Sequence, residues 1–351
     1  MFRSFEMELA GRKLIVETGK MAKQASGSVL IKYGDTAVLV ASTMSKEARE
    51  GTDFFPLTVD YEEKMYAVGK MPGGFLRREG RPGNSAVLNA RLIDRPIRPL
   101  FDKRCRHDVH VVSTVLSVDY DNAPELCGML GASISLAISD IPWEGPIAGV
   151  RVGCINGQYV INPTQEQLTH STLNVTVAGS ENAILMVEGG AEEVPEDKIL
   201  DAIMFGHETI KKLIAFQKTI IAEVGKPKLI MEFPEIPKDI ETAIRDYAEV
   251  RLKEAIFNPD KLTREAHMAE VKKAAEEHFK EIYPENEKDV ITCLDQLTKE
   301  IVRHMISVDK IRPDGRALDE IRPITCEVGL LSRTHGSALF TRGQTQALTI
   351  T

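Results

Sequence analysis

Two short glycine-containing patterns near opposite ends of the chain repeat each other at a constant spacing. The residues Gly336-Ser337-x-Leu339 and Gly343-x-Thr345 match Gly27-Ser28-x-Leu30 and Gly34-x-Thr36, each 309 positions later (336 against 27) and without a gap. The alternative explanation is that small residues are ordinary in any strand-turn-strand unit. The density of matches nevertheless favours an internal duplication. We therefore expect one domain to occur twice, the second copy covering only residues 311–351 and ending in a strand, as in a piece of a longer protein.

The hydrophobic period changes along the chain. Before Pro195, short β-rich runs alternate with turn signals, and Glu125–Ile138 is small and apolar at helical spacing. From Pro195 the period is helical until Gly225 and Pro227 end it, and a proline-punctuated linker leads to charged amphipathic segments. The predicted strands are Ser28–Ile31, Ala37–Ser42, His110–Val118, Ile147–Val152, Leu173–Ala178 and Ile184–Val187, and the helices after the linker are Asp239–Ile256, Lys261–Tyr283 and Glu287–Val308. The fold class predicted is α+β, with helices on a mixed sheet, followed by an all-helical domain.

One segment of the chain is strongly basic. Lys70–Arg106 contains ten Lys and Arg against three Asp and Glu, a net charge of +7, whereas the whole chain carries −8. The positive charge is therefore local, and it lies in and after a glycine-rich stretch. Arginine offers a planar fork of permanently charged donors that suits phosphate, so we expect this segment to bind a polyanion.

Other features narrow the class of protein. No apolar run approaches the length needed to cross a bilayer, and Met1–Ala10 does not resemble a signal peptide, so a cytoplasmic location without membrane contact is expected. The five cysteines are widely spaced and never form a Cys-x-x-Cys pair. That spacing argues against both a disulfide framework and a zinc site, and buried thiols are the expected state.

Four long motifs carry a family resemblance. The segments "VGKMPGGFLRREGRP" (Val68–Pro82), "ARLIDRPIRPLF" (Ala90–Phe101), "LGASISLAISDIPW" (Leu130–Trp143), and "RPDGRALDEIRPI" through "THGSALFTRGQTQAL" (Arg312–Leu348) resemble the bacterial polynucleotide phosphorylase family. The resemblance covers essentially the whole chain. It implies an RNase PH-like domain with a ribosomal S5 domain 2-like fold over 1–228, an all-helical domain over 229–310, and the start of a second RNase PH-like domain over 311–351.

The resemblance also implies an activity. Members of this family degrade RNA from 3′ to 5′ by reversible phosphorolysis, with inorganic phosphate as co-substrate and Mg²⁺ as cofactor, and release nucleoside diphosphates. The expected partners are single-stranded RNA, two further copies in a homotrimeric ring, and an RNA-degradation complex.

A loop of the family pattern Phe-Phe-Arg-Arg lines the RNA channel and matches Phe75, Leu76, Arg77 and Arg78, with Arg81 following. Leu76 departs from the second aromatic of that pattern, which puts base stacking at this position in doubt. The residue types agree with the implied role, because glycines loosen the backbone, Phe75 can stack on a base, and arginines hold phosphates. Further along, Arg91 and Arg95 lie one turn apart on a predicted helix, where Asp94 is an alternative ion-pair partner. The predicted RNA-binding residues are Phe75, Arg77, Arg78, Arg81, Arg91, Arg95 and Arg98.

No catalytic or metal-binding residue is expected in this chain. The family's second domain places its acidic residues and a lysine in the pattern Gly-Asp-Met-Asp-Phe-Lys-Val-Ala-Gly, and the first-copy counterpart here is "STLNVTVAG", with Thr172, Asn174 and Thr176 at those positions. Neutral side chains do not supply the charge that Mg²⁺ prefers. We therefore expect a catalytically degenerate first copy, with the magnesium site in the second domain.

Several alternatives stay open at this point. His107 and His110 lie three apart in an extended segment and project to opposite faces, so a shared metal is disfavoured. Asp119 and Asp121 near Glu125 suit either a cation or an Asx turn, and the turn is favoured. The alternative function is a non-catalytic RNA-binding and oligomerisation scaffold. A hydrolytic nuclease is disfavoured because no acidic tetrad is present.

Overall fold

The chain forms two units, Met1–Phe233 (unit 1) and Pro234–Thr351 (unit 2). The computed structural model describes residues 1–49, 51–52, 54–75, 77–231, 233 and 235–351. Each unit has a hydrophobic cluster of its own, which runs from Leu9 to Ile220 in unit 1 and from Ile240 to Ile301 in unit 2. The three-domain division at 228/229 and 310/311 stays a prediction.

Unit 1 contains two β-sheets. Its strands are β1 (Arg3–Leu9), β2 (Arg12–Thr18), β3 (Gly27–Tyr33), β4 (Thr36–Ala48), β5 (Leu57–Glu63), β6 (His107–Ser117), β7 (Ala148–Ile155), β8 (Gln158–Ile161), β9 (Leu173–Gly179) and β10 (Ile184–Ala191). The first sheet has the order β1-β2-β3-β4-β6-β5, and only the β5–β6 pair is parallel. The second sheet, β10-β9-β7-β8, is antiparallel throughout. The predicted α+β class with a mixed sheet is confirmed.

Within the described residues of unit 1, four helices accompany these sheets. They are α1 (Asn84–Ile97), α2 (Pro124–Ile138), the single-turn α3 (Gln165–Thr169) and α4 (Glu196–Val224). Every residue of α2 from Leu126 to Ile138 is buried, because the helix packs on β3, β4 and β6 of the first sheet and on β7 of the second. A helix that is apolar all round fits such a position, since it has no face for water.

The six strands predicted from the sequence correspond to β3, β4, β6, β7, β9 and β10, while β1, β2, β5 and β8 were missed. Strand β1 reads "RSFEMEL" and is mostly exposed, so it lacks a strong apolar alternation. It is ordered by pairing in register with β2. A strand of this kind is determined by its neighbour more than by its own composition.

A buried polar network joins α2, α4 and the chain before β7. Ser133 Oγ donates to the Gln217 side-chain oxygen at 2.7 Å, and the Gln217 amide donates to the Ile147 carbonyl at 2.7 Å. The Ile147 N–H completes the ring by donating to Ser133 Oγ at 2.9 Å. Both side chains are 0% exposed, so each polar atom depends on this ring for its partner.

Unit 2 combines three helices with a three-stranded sheet. Its elements are α5 (Lys238–Ile256), α6 (Lys261–Lys280), α7 (Glu287–Ser307), β11 (Ile324–Val328), β12 (Ser337–Arg342) and β13 (Thr345–Ile350). The helices agree with the three predicted amphipathic segments, and their apolar stripes meet in one cluster. The described residues contain no helix that is long and apolar enough to span a membrane.

The repeated sequence pattern occupies the same local structure in both copies. It forms the hairpin β3–β4 in unit 1 and the hairpin β12–β13 in unit 2. The turn glycines, Gly34 and Gly343, have φ of 56° and 61°, a left-handed conformation that side chains with a Cβ rarely adopt. The repeat is therefore a structural one, as the spacing of 309 predicts.

We expect the substitution Gln217→Leu to destabilise unit 1. It leaves the Ser133 O–H donor without an acceptor and the buried Ile147 carbonyl without a donor, at a cost of about 1–3 kcal/mol each. Denaturant unfolding monitored by circular dichroism measures the change. The exposed neighbour substitution Thr219→Ala is the control and should stay within about 0.5 kcal/mol. Equal stability of the two variants would contradict the role of the network.

Candidate nucleic-acid interface

The most basic part of unit 1 is an irregular loop. We call residues 69–83 the basic loop; it joins a 3₁₀ helix (Met65–Val68) to α1. Among its described residues, Arg77, Arg78 and Arg81 are exposed, and Phe75 is 100% exposed. Leu76, where the sequence departs from the family pattern, lies outside the described residues. A fully exposed aromatic beside arginines is the arrangement expected for stacking on a base while phosphates are held.

Hydrogen bonds to the 3₁₀ helix fasten both ends of the basic loop. The Lys70 N–H donates to the Met65 carbonyl at 3.0 Å, and the Met65 N–H donates to Glu79 Oε1 at 2.7 Å. Lys64 adds an ion pair to Glu79 at 3.5 Å. The 3₁₀ helix is itself attached to the first sheet, because the Val118 N–H donates to the Ala67 carbonyl at 3.1 Å.

Lys64 lies between two carboxylates at this anchor. A hydrogen bond with Glu62 is the main cause that raises the pKa of Lys64, and Glu79 adds to the effect. Lys64 therefore stays protonated, and its positive charge lies next to Glu79.

The tip of the basic loop is a turn. The Arg77 N–H donates to the Gly74 carbonyl at 3.0 Å, and Arg77 has a φ of 52°. Within the described part of the chain, the guanidinium groups of Arg77, Arg78 and Arg81 make no hydrogen bond or ion pair. These three charges are available to a ligand.

Arg91 and Arg95 of α1 and Arg98, which directly follows it, differ from one another. Arg91 is exposed and has no ion-pair partner among residues that the structure describes. Arg95 instead binds Glu188 on β10. Arg98, at the end of α1, binds both carboxylate oxygens of Asp94, at 2.7 and 3.0 Å, and the Leu57 carbonyl at 3.0 Å.

A groove runs between β5, an edge strand, and α1. Its volume is about 310 Å³, and Pro82 of the basic loop lines one end. The groove brings together Arg91, Asp94 and Arg98 but not Arg95, although Arg91 and Arg95 are one turn apart. Arg95 turns instead towards Glu188, and contact of Arg91 or Arg95 with RNA stays a prediction.

The carboxylates of the basic segment do not neutralise the loop arginines. Asp94 binds Arg98, Asp102 binds Arg104 at 2.6 Å, and Glu79 binds the 3₁₀ helix. The hydrogen bond from Arg104 is the main cause that lowers the pKa of Asp102. Among the described arginines of the segment Lys70–Arg106, Arg77, Arg78, Arg81 and Arg91 are thus exposed without an ion-pair partner.

From the sequence, Thr172, directly before β9, and Asn174 and Thr176, within β9, are expected to stand against the acidic and lysine positions of the family pattern. Thr172 and Asn174 are exposed, while Thr176 is only 6% exposed and lies opposite Glu188 in the β9–β10 register. Glu188 is already bound by Arg95. These groups do not suit Mg²⁺, which prefers several carboxylate oxygens. Across the described ranges, no group of three or more His, Cys, Asp or Glu side chains is placed to hold a metal ion.

The remaining candidates have local partners. His107 Nδ1 lies 3.0 Å from the Ser45 carbonyl and His110 Nε2 lies 2.7 Å from Asp60, so the two rings serve separate contacts. The Asp121 N–H donates to Asp119 Oδ1 at 3.0 Å, which is the Asx turn favoured from the sequence. This backbone bond is the main cause that lowers the pKa of Asp119.

Sequence reasoning missed two features of the interface. Tyr66, in the 3₁₀ helix, is 57% exposed beside the base of the loop and offers a second aromatic surface. The anchor between Glu79 and Met65 was also missed, since Glu79 sits among arginines and reads as their counter-charge. The sequence contained one signal for the first of these features, the position of the aromatic residue Tyr66 shortly before the glycine-rich stretch.

Comparison with known proteins agrees with this geometry. Residues 10–142 match the model of the 3′ exoribonuclease family, domain 1, and residues 145–209 match domain 2 of the same family. Residues 239–317 match the model described as polyribonucleotide nucleotidyltransferase, RNA binding domain.

Three relatives named polyribonucleotide nucleotidyltransferase match 99% of the chain. They come from Heliobacterium modesticaldum (58% identical), Syntrophomonas wolfei (55%) and Geobacillus kaustophilus (56%). The match covers 49%, 50% and 48% of their respective lengths, so the chain spans about half the length of these curated relatives.

The contacts of α1 predict different costs for two arginine substitutions. We expect Arg98→Ala to lower the free energy of unfolding by about 1 kcal/mol, because it removes a partly exposed bidentate pair and a bond to the Leu57 carbonyl. Arg91→Ala removes no such contact and should change it by less than about 0.5 kcal/mol. Chemical denaturation of both variants makes the comparison. Similar losses would mean that Arg91 has a structural partner in solution.

Proposed function

Since this chain belongs to the polyribonucleotide nucleotidyltransferase family, we propose that the protein is a phosphorolytic 3′-to-5′ exoribonuclease. In this reaction, RNA and inorganic phosphate give a shortened RNA and a nucleoside diphosphate, reversibly and with Mg²⁺. Unit 1 supplies the surface that grips the RNA strand. The proposal extends to a homotrimeric ring, association with an RNA-degradation complex and a cytoplasmic location.

One observation carries the RNA-gripping role. Arg77, Arg78 and Arg81, on a loop whose base is fastened to the fold, and Arg91 on α1 are exposed and without ion-pair partners among the described residues. Guanidinium groups that are already positioned can meet successive phosphates without first breaking internal pairs. Phe75 adds a base-stacking surface that does not depend on sequence, which suits an enzyme acting on many RNAs. Arg95 and Arg98 contribute chiefly by holding α1 against β10 and β5.

The chemical step belongs elsewhere in the proposed enzyme. Thr172, directly before β9, and Asn174 and Thr176 in β9 stand where acidic and basic groups are needed, and these residues do not fit a magnesium ion. We place the phosphate- and Mg²⁺-dependent reaction in the second RNase PH-like domain, of which residues 311–351 form the start. The same observation favours a second candidate function for residues 1–351 by themselves, a non-catalytic RNA-binding and oligomerisation scaffold.

We expect the double substitution Arg77→Ala, Arg78→Ala to weaken binding of single-stranded RNA. Two phosphate contacts are lost, so the slope of log K against log salt should fall by about 1.4 for a single strand. Fluorescence anisotropy of labelled oligoadenylate over a salt series measures both quantities, and the melting temperature should not change.

The matched control removes two positive charges from a different surface. Lys211→Ala, Lys212→Ala lies on α4 and should reduce the slope much less than the loop variant does. Equal effects of the two variants would show that net charge, and not the basic loop, determines RNA binding.

An activity assay separates the two candidate functions. We expect the 351-residue chain, incubated with labelled RNA, Mg²⁺ and phosphate, to bind RNA without releasing nucleoside diphosphate, because β9 lacks carboxylates for the metal. Thin-layer chromatography distinguishes the products. Release of diphosphate would contradict the degenerate first copy, and release of monophosphate would favour hydrolysis over phosphorolysis.

A further inference from the structure

Glu79 occupies an unexpected position for a residue in this loop. In the sequence it lies between Arg78 and Arg81 and two residues after Arg77, where it reads as a local counter-charge. In the structure its carboxylate points back to the 3₁₀ helix and binds the Met65 N–H at 2.7 Å and Lys64 at 3.5 Å. No hydrogen bond or ion pair joins it to the arginines that the structure describes.

The Met65 N–H needs such a partner. Met65 is the first residue of the 3₁₀ helix, and Lys64 before it provides no side-chain cap. The first N–H groups of a helix lack acceptors within the helix, and a carboxylate is a favourable acceptor there. Glu79 therefore acts as a cap supplied from the far end of the loop.

This contact closes the loop. The Met65 carbonyl accepts from the Lys70 N–H, and the Met65 N–H donates to the Glu79 carboxylate. Both ends of the segment between Lys70 and Glu79 are therefore bound to the same residue. Closing the ends restricts the volume that the tip can explore, which raises the local concentration of its charges at one place. The tip carries Phe75, Arg77 and Arg78.

We propose that Glu79 is a positioning residue for RNA binding, which holds Arg77 and Arg78 in place through Met65 and keeps its own charge away from them. This inference rests on the proposed function, because it concerns how the same loop meets RNA. The competing interpretation is that Glu79 merely lowers the positive charge of the loop.

Two substitutions at this position separate the interpretations. Glu79→Ala removes the charge and the acceptor, whereas Glu79→Gln removes the charge and keeps an oxygen that can accept from Met65. If Glu79 positions the loop, Glu79→Ala should weaken oligoadenylate binding about three- to tenfold, and Glu79→Gln should stay within about twofold of the parent or bind more tightly. If Glu79 is only a counter-charge, both variants bind more tightly.

The control for loss of one negative charge is Glu208→Ala. Glu208 is exposed on α4 and contacts Lys211, so its removal changes net charge without touching the loop. Hydrogen–deuterium exchange over residues 65–70 provides a readout that does not involve RNA. Exchange there should rise in Glu79→Ala, remain low in Glu79→Gln and be unaffected in Glu208→Ala.

Failure of this inference can be told from failure of the proposed function. If the Arg77→Ala, Arg78→Ala variant loses affinity while Glu79→Ala does not, the loop binds RNA and the positioning role is overturned. If neither variant loses affinity, the loop does not grip RNA and both ideas fall. Tighter binding by both Glu79 variants would likewise overturn the positioning role.

Discussion

The burial of α2 is the constraint on which unit 1 depends. Its residues from Leu126 to Ile138 are all buried, because β3, β4 and β6 cover one side of the helix and β7 approaches the other. Both sheets thus contribute to one core, and α2 contacts each of them. With the centre filled in this way, ligand contacts are possible only at the periphery, where β5 is an edge strand and the basic loop leads into α1.

The arginines at that periphery fall into two groups, those bound to other residues of the fold and those exposed to solvent. Of the arginines in the basic segment, some are used inside the fold, as when Arg95 binds Glu188 and Arg98 binds Asp94 and Leu57. Others point to solvent from a fastened loop. Partly exposed contacts of the first group contribute little stability, but the Arg95–Glu188 ion pair and the hydrogen bond from Arg98 to the Leu57 carbonyl join α1 and its end to β10 and β5.

The two copies of the repeated pattern illustrate how fold and chemistry separate. Gly34 and Gly343 keep the same left-handed turn, since any residue with a Cβ is strained there. Thr172, directly before β9, and Asn174 in β9 are under no such constraint, because exposed positions at a β-strand accept neutral and acidic residues alike. A duplicated domain can therefore keep its backbone while it loses a metal site, and the surface that remains can specialise in binding.

The sequence by itself determined the types of most helices and strands and the positive charge of the candidate interface. Apolar periodicity is a local property, so it identified α2, α4 and the hairpin β3–β4, and composition identified the concentration of arginine. It did not identify β1 or β5, which depend on pairing with β2 and β6, or the fate of individual charges. Only the tertiary structure decided that Arg95 meets Glu188, 93 residues away, that Arg98 reaches Leu57, 41 residues away, and that Glu79 turns to Met65. The physical reason is that a charged side chain binds a partner that the folded chain brings within a few ångströms, and in these three contacts that partner lies 14 to 93 residues away.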